Sequence, residues 1–453
     1  MEACSRSLNA LRAQFCTHTL TIRKCRAAMT LARLLPPELL AKIFEHASGM
    51  GWTRAPIVAS HVCSTWRAAA RAHPSVWSYI TINFDLQDRT GWTKHWLSMA
   101  RQASLHVTLE YSVYNRAFGR VMALLFERSE QWVSLDLDMP PQETQLVLIT
   151  CKPHNFTRLR SIHTSLYACS EGLEDTERYT SFADAFQNGP SLTSFSVFGN
   201  ALPRDLPLGL TSICMEYNDP FGPNVENPHS VLEVLRNLPN LESLTMRLGV
   251  LTPTPPAFPG VELPELRTLV YEDLHAGDFQ ILSYLAAPSL RHLRACVQSG
   301  PEVCDVVPTY LIPFLEDSPN VETLELDGID VWPARWLSIL PRVPKLRELY
   351  LHDSDIDDKA IEGMFGKNGS CPDLQRIDLR WCQHVRGTTL AQLVESRVNS
   401  GGREIDEVAT IGCSLVRKQD AMQIARLTTF RVVIGERDEH CRQCFSIAFS
   451  ACR

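Results

Sequence analysis

The chain has 453 residues, 45% hydrophobic and 21% charged, a composition ordinary for a folded protein and enough for one long solenoid or two to three domains. A formal net charge of −7 leaves no global basic field, so nucleic acid is not an expected partner. No apolar run approaches the roughly 20 residues a bilayer crossing needs; the longest clear one is Val121 to Phe126, so no membrane partner is expected either. Fifteen cysteines, an odd number, are scattered from Cys4 to Cys452 with no secretory apolar segment ahead of them. That pattern reads as reduced thiols in a cytoplasmic and/or nuclear protein. The sequons at Asn155 and Asn368 are then coincidental.

In chain order, residues 1–32 are basic through Arg6, Arg12, Arg23, Lys24 and Arg26, with no acid between Glu2 and Glu38. Organelle transit peptides share that composition; a disordered basic extension is the simpler reading. Residues 33–80 read as a small helical module. Leu35-Pro36-Pro37-Glu38-Leu39-Leu40-Ala41-Lys42-Ile43-Phe44 opens a helix, with proline in the first turn and an acid at its positive end. Leu39 and Ile43 are four apart, as are Leu40 and Phe44. A second helical stretch runs from Ile57 through Val62 and Trp66 to Ala70; Pro74 stops it and Trp77 follows. So small a piece makes a poor independent core, and its surplus apolar surface calls for the following repeats, another protein, or both.

Three blocks, Leu35-Pro36-x-Glu38-Leu39-Leu40-x-x-Ile43-Phe44, Val62-Cys63-x-x-Trp66-Arg67 and Pro74-x-x-Trp77, together resemble an F-box in both residues and spacing. The loop from Ala47 to Ala55 is the part least like the family. The resemblance implies a module that docks the small adaptor protein of a cullin-type (SCF) ubiquitin ligase. It makes Leu35, Pro36, Leu39, Ile43, Val62, Cys63 and Trp66 the adaptor-facing or adaptor-supporting candidates. Any one of them, Trp66 for example, would serve equally well as filling for a helical core.

Residues 81–130 form a junction. Ile80, Ile82 and Phe84 alternate, as do Leu105, Val107 and Leu109, giving two half-buried strands with a helix from Trp92 to Arg101 between them. Such a junction after an F-box resembles fungal F-box proteins. From 131 to 400 a motif Pro-x-Leu-x-x-Leu-x-Leu recurs. Its clearest copies begin at Pro239, Pro264, Pro319, Pro344 and Pro372, with weaker ones at Pro190 and Pro288 and proline-free ones at Trp132, Phe156 and Leu210. The spacing falls in the leucine-rich repeat range, with insertions, the Pro-rich stretch from Thr252 to Pro259 being the clearest. Most copies follow a helical stretch; Pro313 should kink or shorten the one before Pro319. The copy Cys371-Pro372-x-Leu374-x-x-Ile377-Asp378-Leu379-x-Trp381-Cys382 resembles the cysteine-containing repeat subclass, which gives Cys382 a structural place under the backbone turn. After Gly401 the period fails; a helix from Leu415 to Leu427 and a strand from Thr429 to Ile434 read as a cap spanning 401–453.

The expected fold is therefore α/β: an N-terminal three-helix F-box-like module, then a leucine-rich repeat solenoid with a curved parallel sheet inside and helices outside. No enzyme motif is found. Gly363-Met364-Phe365-Gly366-Lys367 lacks phosphate-loop spacing. Asp353, Asp355 and Asp357 start like a calcium loop, but Asp358 stands where glycine belongs and Met364 where glutamate belongs. His440, Cys441, Cys444 and Cys452 lack a second metal-binding pair. No metal, cofactor or catalytic residue is expected. The expected function is a substrate receptor of a ubiquitin ligase that holds an unknown protein target on the outward strand residues. The candidates are Arg294, Glu325, Tyr350 and Asp378, flanked by Glu348 and Arg376. A repeat scaffold with no role in ubiquitin transfer is the alternative.

Overall fold

The computed structural model describes residues 35–84, 89–110, 117–166, 181–203, 205–217, 228–248, 259–273, 276–297, 306–329 and 331–433, with a few positions between 12 and 21. The His440–Cys452 cluster, most of the basic extension and most of the Pro-rich stretch lie outside the described residues. The chain divides into two compact units, residues 1–139 with 154–159, and 140–153 with 160–453.

The first unit opens with three helices, α1 (Pro37–Gly49), α2 (Ala55–Val62) and α3 (Ser64–Ala72), and a 3-10 turn at Pro74–Trp77. Proline starts α1 and α2, where its missing N–H costs nothing. Cys63 is the N-cap of α3, its sulfur accepting from the Trp66 N–H at 3.5 Å. The inner stripe of α1, Leu40, Ala41, Phe44 and Ser48, is buried, and Phe44 packs on Trp66 with ring centroids 5.0 Å apart. The strand β1 (Tyr79–Asn83), α4 (Thr90–Ala100), β2 (Leu105–Glu110), α5 (Phe118–Phe126) and β3 (Trp132–Asp138) follow, the three strands pairing in parallel in chain order. Trp77 fixes the helices to this sheet. Its indole donates to Ala70 O at 2.8 Å, its own carbonyl accepts from the Trp96 indole at 2.9 Å, and the two rings meet edge-on at 4.8 Å.

The second unit repeats one strand-and-return unit. Its strands are β4 (Ser161–Leu166), β5 (Ser194–Gly199), β6 (Ser212–Tyr217), β7 (Ser243–Leu248), β9 (Thr268–Asp273), β11 (His292–Val297), β12 (Thr323–Asp327), β13 (Glu348–His352), β14 (Arg376–Arg380), β15 (Glu407–Ile411) and β16 (Thr429–Val433). All pair in parallel and in chain order. A separate parallel pair joins β8 (Val261–Glu262) and β10 (Leu285–Ala286). The helices between strands are α6 (Pro141–Cys151), α7 (Phe182–Ala185), α8 (Pro228–Arg236), α9 (Val306–Glu316), α10 (Pro333–Ile339), α11 (Asp358–Glu362), α12 (Gly387–Asn399) and α13 (Lys418–Ile424). This is the leucine-rich repeat arrangement expected from the sequence. Leu244, Leu269, Leu293, Leu324, Leu349, Ile377 and Val408 share one register row, and every one is fully buried.

The repeat proline has a geometric reason. In Leu238-Pro239-Asn240-Leu241, Ala287-Pro288-Ser289-Leu290, Val343-Pro344-Lys345-Leu346 and Cys371-Pro372-Asp373-Leu374, the last N–H bonds back to the first carbonyl. Each is a β-turn with proline at its second position, where a fixed φ suits the turn. Two expectations are corrected. Helix α9 continues through Pro313 to Glu316, because Leu311, Phe314 and Leu315 are buried along it and outweigh one lost backbone bond. The period also does not fail at Gly401. Gly401 ends α12 in the left-handed region (φ 62), and β15 then pairs with β14 in full register.

Candidate functional site

Two surfaces stand out, one in each unit. On the three-helix module, α1 carries two apolar stripes rather than one. Leu40 and Phe44 point inward, whereas Leu39 and Ile43, one position earlier, are each 51% exposed. On α2, Val58 and Val62 are likewise four apart and exposed, and Met50 and Trp52 in the loop between α1 and α2 are exposed too. Six large apolar side chains facing water between residues 39 and 62 far exceed the scatter of single exposed leucines on an ordinary surface. Of the candidates read from the sequence, Pro36, Leu39, Ile43 and Val62 are exposed, and Leu35, Cys63 and Trp66 are half-buried. Trp66 and Cys63 hold the module together through Phe44 and the α3 cap. Met50, Trp52 and Val58 were missed; the first two fall in the loop that departs most from the F-box pattern.

The sheet face of the second unit carries linked charges. Arg247 bridges Glu216 (3.1 Å) and Glu272 (2.5 Å); Arg294 lies 3.9 Å from Glu272 and 3.5 Å from Glu325. Burial works against the Arg247 charge, yet Glu272 and Glu216 beside it overcome burial and raise its pKa. Across β13–β16 a second network forms. The Tyr350 hydroxyl donates to Glu348 at 2.8 Å, the Arg376 guanidinium lies 5.2 Å from the Tyr350 ring centre, and Glu407 takes Arg376 (3.7 Å) and Arg431 (2.9 Å). Burial, then the Glu348 hydrogen bond, pushes the Tyr350 phenol up to about 12. The structure thus brings Arg294 and Glu325 together, and Glu348, Tyr350 and Arg376 together. Asp378 differs from its expected outward role. It is 2% exposed, and both its oxygens accept from Arg380, at 2.9 and 3.0 Å. Arg380, two residues along the same strand and absent from the sequence reading, is the half-exposed member of that pair.

The chemistry-bearing candidates have structural employment. Cys382 is buried, its thiol donating to Leu351 O (3.5 Å) and Arg380 O (3.6 Å). Cys413 does the same one repeat later, to Leu379 O and Ile411 O. Burial pushes both thiols well up. The calcium-like acids divide among local tasks: Asp357 caps α11 by accepting from Ala360 N, Asp358 accepts from Arg386 N, and Asp355 faces His384 at 3.5 Å. Among the described residues no cluster of His, Cys, Asp or Glu has metal-holding geometry, and no helix is long and apolar enough to cross a membrane.

No family model and no curated protein matches this chain. Similar solved structures include the yeast complex of Rad7 and Elc1, at 14% identity over 91% of this chain and 97% of that one, with a TM-score of 0.37. Another is a protein from Bacteroides fragilis, at 11% identity over 71% and 83%, with a TM-score of 0.34. At that distance the fold rests on its own topology.

Proposed function

We propose that this protein is a non-enzymatic substrate receptor of a cullin-type (SCF) ubiquitin ligase in the cytoplasm and/or nucleus. The module with α1–α3 takes the ligase adaptor, and the sheet face of the repeats takes a protein target. The observation that carries this reading is the exposed apolar stripe Leu39, Ile43 and Val62, lying at positions the F-box resemblance assigns to adaptor contact. The receptor makes no bond; it raises the target's effective concentration near the transfer site.

The test is co-purification of the full chain with an SCF-type adaptor, repeated with Leu39→Asp plus Ile43→Asp. The expected result is a complex with the parent chain and none with the variant. A folded parent chain that does not bind the adaptor would overturn the ligase reading in favour of a repeat scaffold.

A further inference from the structure

We propose that the repeats take their partner at the C-terminal ends of β12–β15, and that the partner presents an extended segment rich in arginine or lysine. The proposal rests on the sheet face being the target surface and is independent of how the helical module is used.

The first support is the balance of charge. On this part of the face the arginines are already answered: Arg294 by Glu325 and Glu272, Arg376 by Glu407 and the Tyr350 ring, Arg380 by both oxygens of Asp378. Toward the strand ends the acids Asp327, Asp353, Asp355 and Asp378 outnumber Arg380. Asp327 faces the imidazole of His352 at 3.7 Å, and Asp355 faces that of the exposed His384 at 3.5 Å. Both acid side chains are more than a third exposed, and Asp327 shares the field of Arg380 with Asp378. His352 is 9% exposed and sits between Asp327 and Arg380 in one register row, and its Nε2 has no hydrogen-bond partner among the described residues. The balance of carboxylates over arginine at this edge is therefore negative, which favours a cationic partner and disfavours an acidic one.

The second support is Trp381. The residue after each of four consecutive strands is left-handed: Gly328 (φ 65), Asp353 (φ 52), Trp381 (φ 56) and Gly412 (φ 65). Backbone bonds hold these positions in line, Gly328 N to His352 O, Asp353 N to Arg380 O and Trp381 N to Ile411 O. Glycine and aspartate suit that conformation; a bulky side chain does not. The tryptophan fills no core, since the next residue, Cys382, is the buried one. Its half-exposed indole instead lies over Gly412, where an added Cβ would come within 2.5 Å of the ring. A half-exposed tryptophan in a left-handed backbone position, at the same strand ends as Asp327 and Asp355, has the composition of an interface hot spot. The indole supplies the apolar contact for the stem of an arginine or lysine, and Asp327 and Asp355 supply the charge.

The test uses the full chain and two short fluorescent peptides, one alternating arginine with alanine, the other glutamate with alanine, read by anisotropy. The expected result is binding of the arginine peptide, weakened by salt, with the glutamate peptide unbound. Asp327→Asn with Asp355→Asn, and separately Trp381→Gly, should each weaken it by about tenfold. Trp381→Gly relieves the backbone, so an unchanged fold by circular dichroism is expected. Equal affinity for both peptides, no binding of the arginine peptide, or an affinity untouched by both variants overturns the proposal. Leu39→Asp with Ile43→Asp keeps peptide binding while losing the adaptor, which separates failure here from failure of the ligase reading.

Discussion

At the scale of single residues, Arg397 is a buried cation with a structural task. It is fully buried on α12, yet it has no carboxylate partner in its hydrogen bonding; its guanidinium donates to Pro372 O (2.9 Å), Met364 O (2.6 Å) and Cys371 O (2.8 Å). Those carbonyls sit at the end of one helix and at the turn before β14, so a single cation ties two repeats. Burial lowers its pKa but the group stays cationic. Arg397→Met keeps the volume and abandons three acceptors. A loss of about 3 kcal/mol of unfolding free energy, read by urea titration, is expected, and Arg397→Lys should recover little of it, because an ammonium lacks the planar fork. A loss below about 1 kcal/mol for Arg397→Met would show that the carbonyls find other donors. The sequence does not announce this role, since an arginine in a helix looks like a solvated one. Cys382 was legible because its repeat is nearly ideal. Cys413 was not, because Val408 and Thr410 stand where the usual leucines would. Asp378 had the right row and the wrong exposure: alternation tells which way a side chain points, not whether a neighbour such as Arg380 closes over it.

At the scale of elements, α1 shows how one residue of phase separates stability from binding. Leu40 is 1% exposed and Leu39 is 51% exposed. Leu40→Ala should cost about 3 kcal/mol of unfolding free energy, and Leu39→Ala less than about 0.5 kcal/mol. Denaturant titration of the two variants checks this, and comparable losses would mean that Leu39 belongs to the core. The sequence showed both i,i+4 pairs but merged them into one apolar side; only packing against Trp66 decides which pair goes in. The turn prolines were legible, since Pro-x-Leu marks a β-turn before strands such as β7, β11, β13 and β14. The β15 strand was not, for a related reason: Glu404, Ile405 and Asp406 precede it without a proline, and its inward row carries Val408 and Thr410 in place of leucines. A repeat recognised by its leucines vanishes from the sequence when neighbouring register can hold the strand without them.

Over the whole molecule, two half-buried imidazoles, one in each unit, make stability depend on pH. His106 stacks on Tyr79 with ring centres 4.4 Å apart and shares a 2.8 Å hydrogen bond with Ser134; burial lowers its pKa, and Glu45 opposes that weakly. His292 lies on the sheet face, where burial again lowers the pKa against the pull of Glu325, with Arg294 reinforcing burial and Glu348 opposing it. An unfolded histidine takes its proton near pH 6.5, whereas these two resist protonation while folded. The unfolded chain therefore binds protons first on acidification. Each group's contribution is fully present above about pH 6.5 and is lost as pH falls toward and through its folded value. The fold should be less stable at about pH 5.5 than at about pH 7.5, and His106→Gln with His292→Gln should flatten that slope by removing the two titrations. Urea midpoints of parent and double variant at both pH values measure it. An identical pH dependence in the two proteins would place the acid sensitivity in groups other than these two histidines.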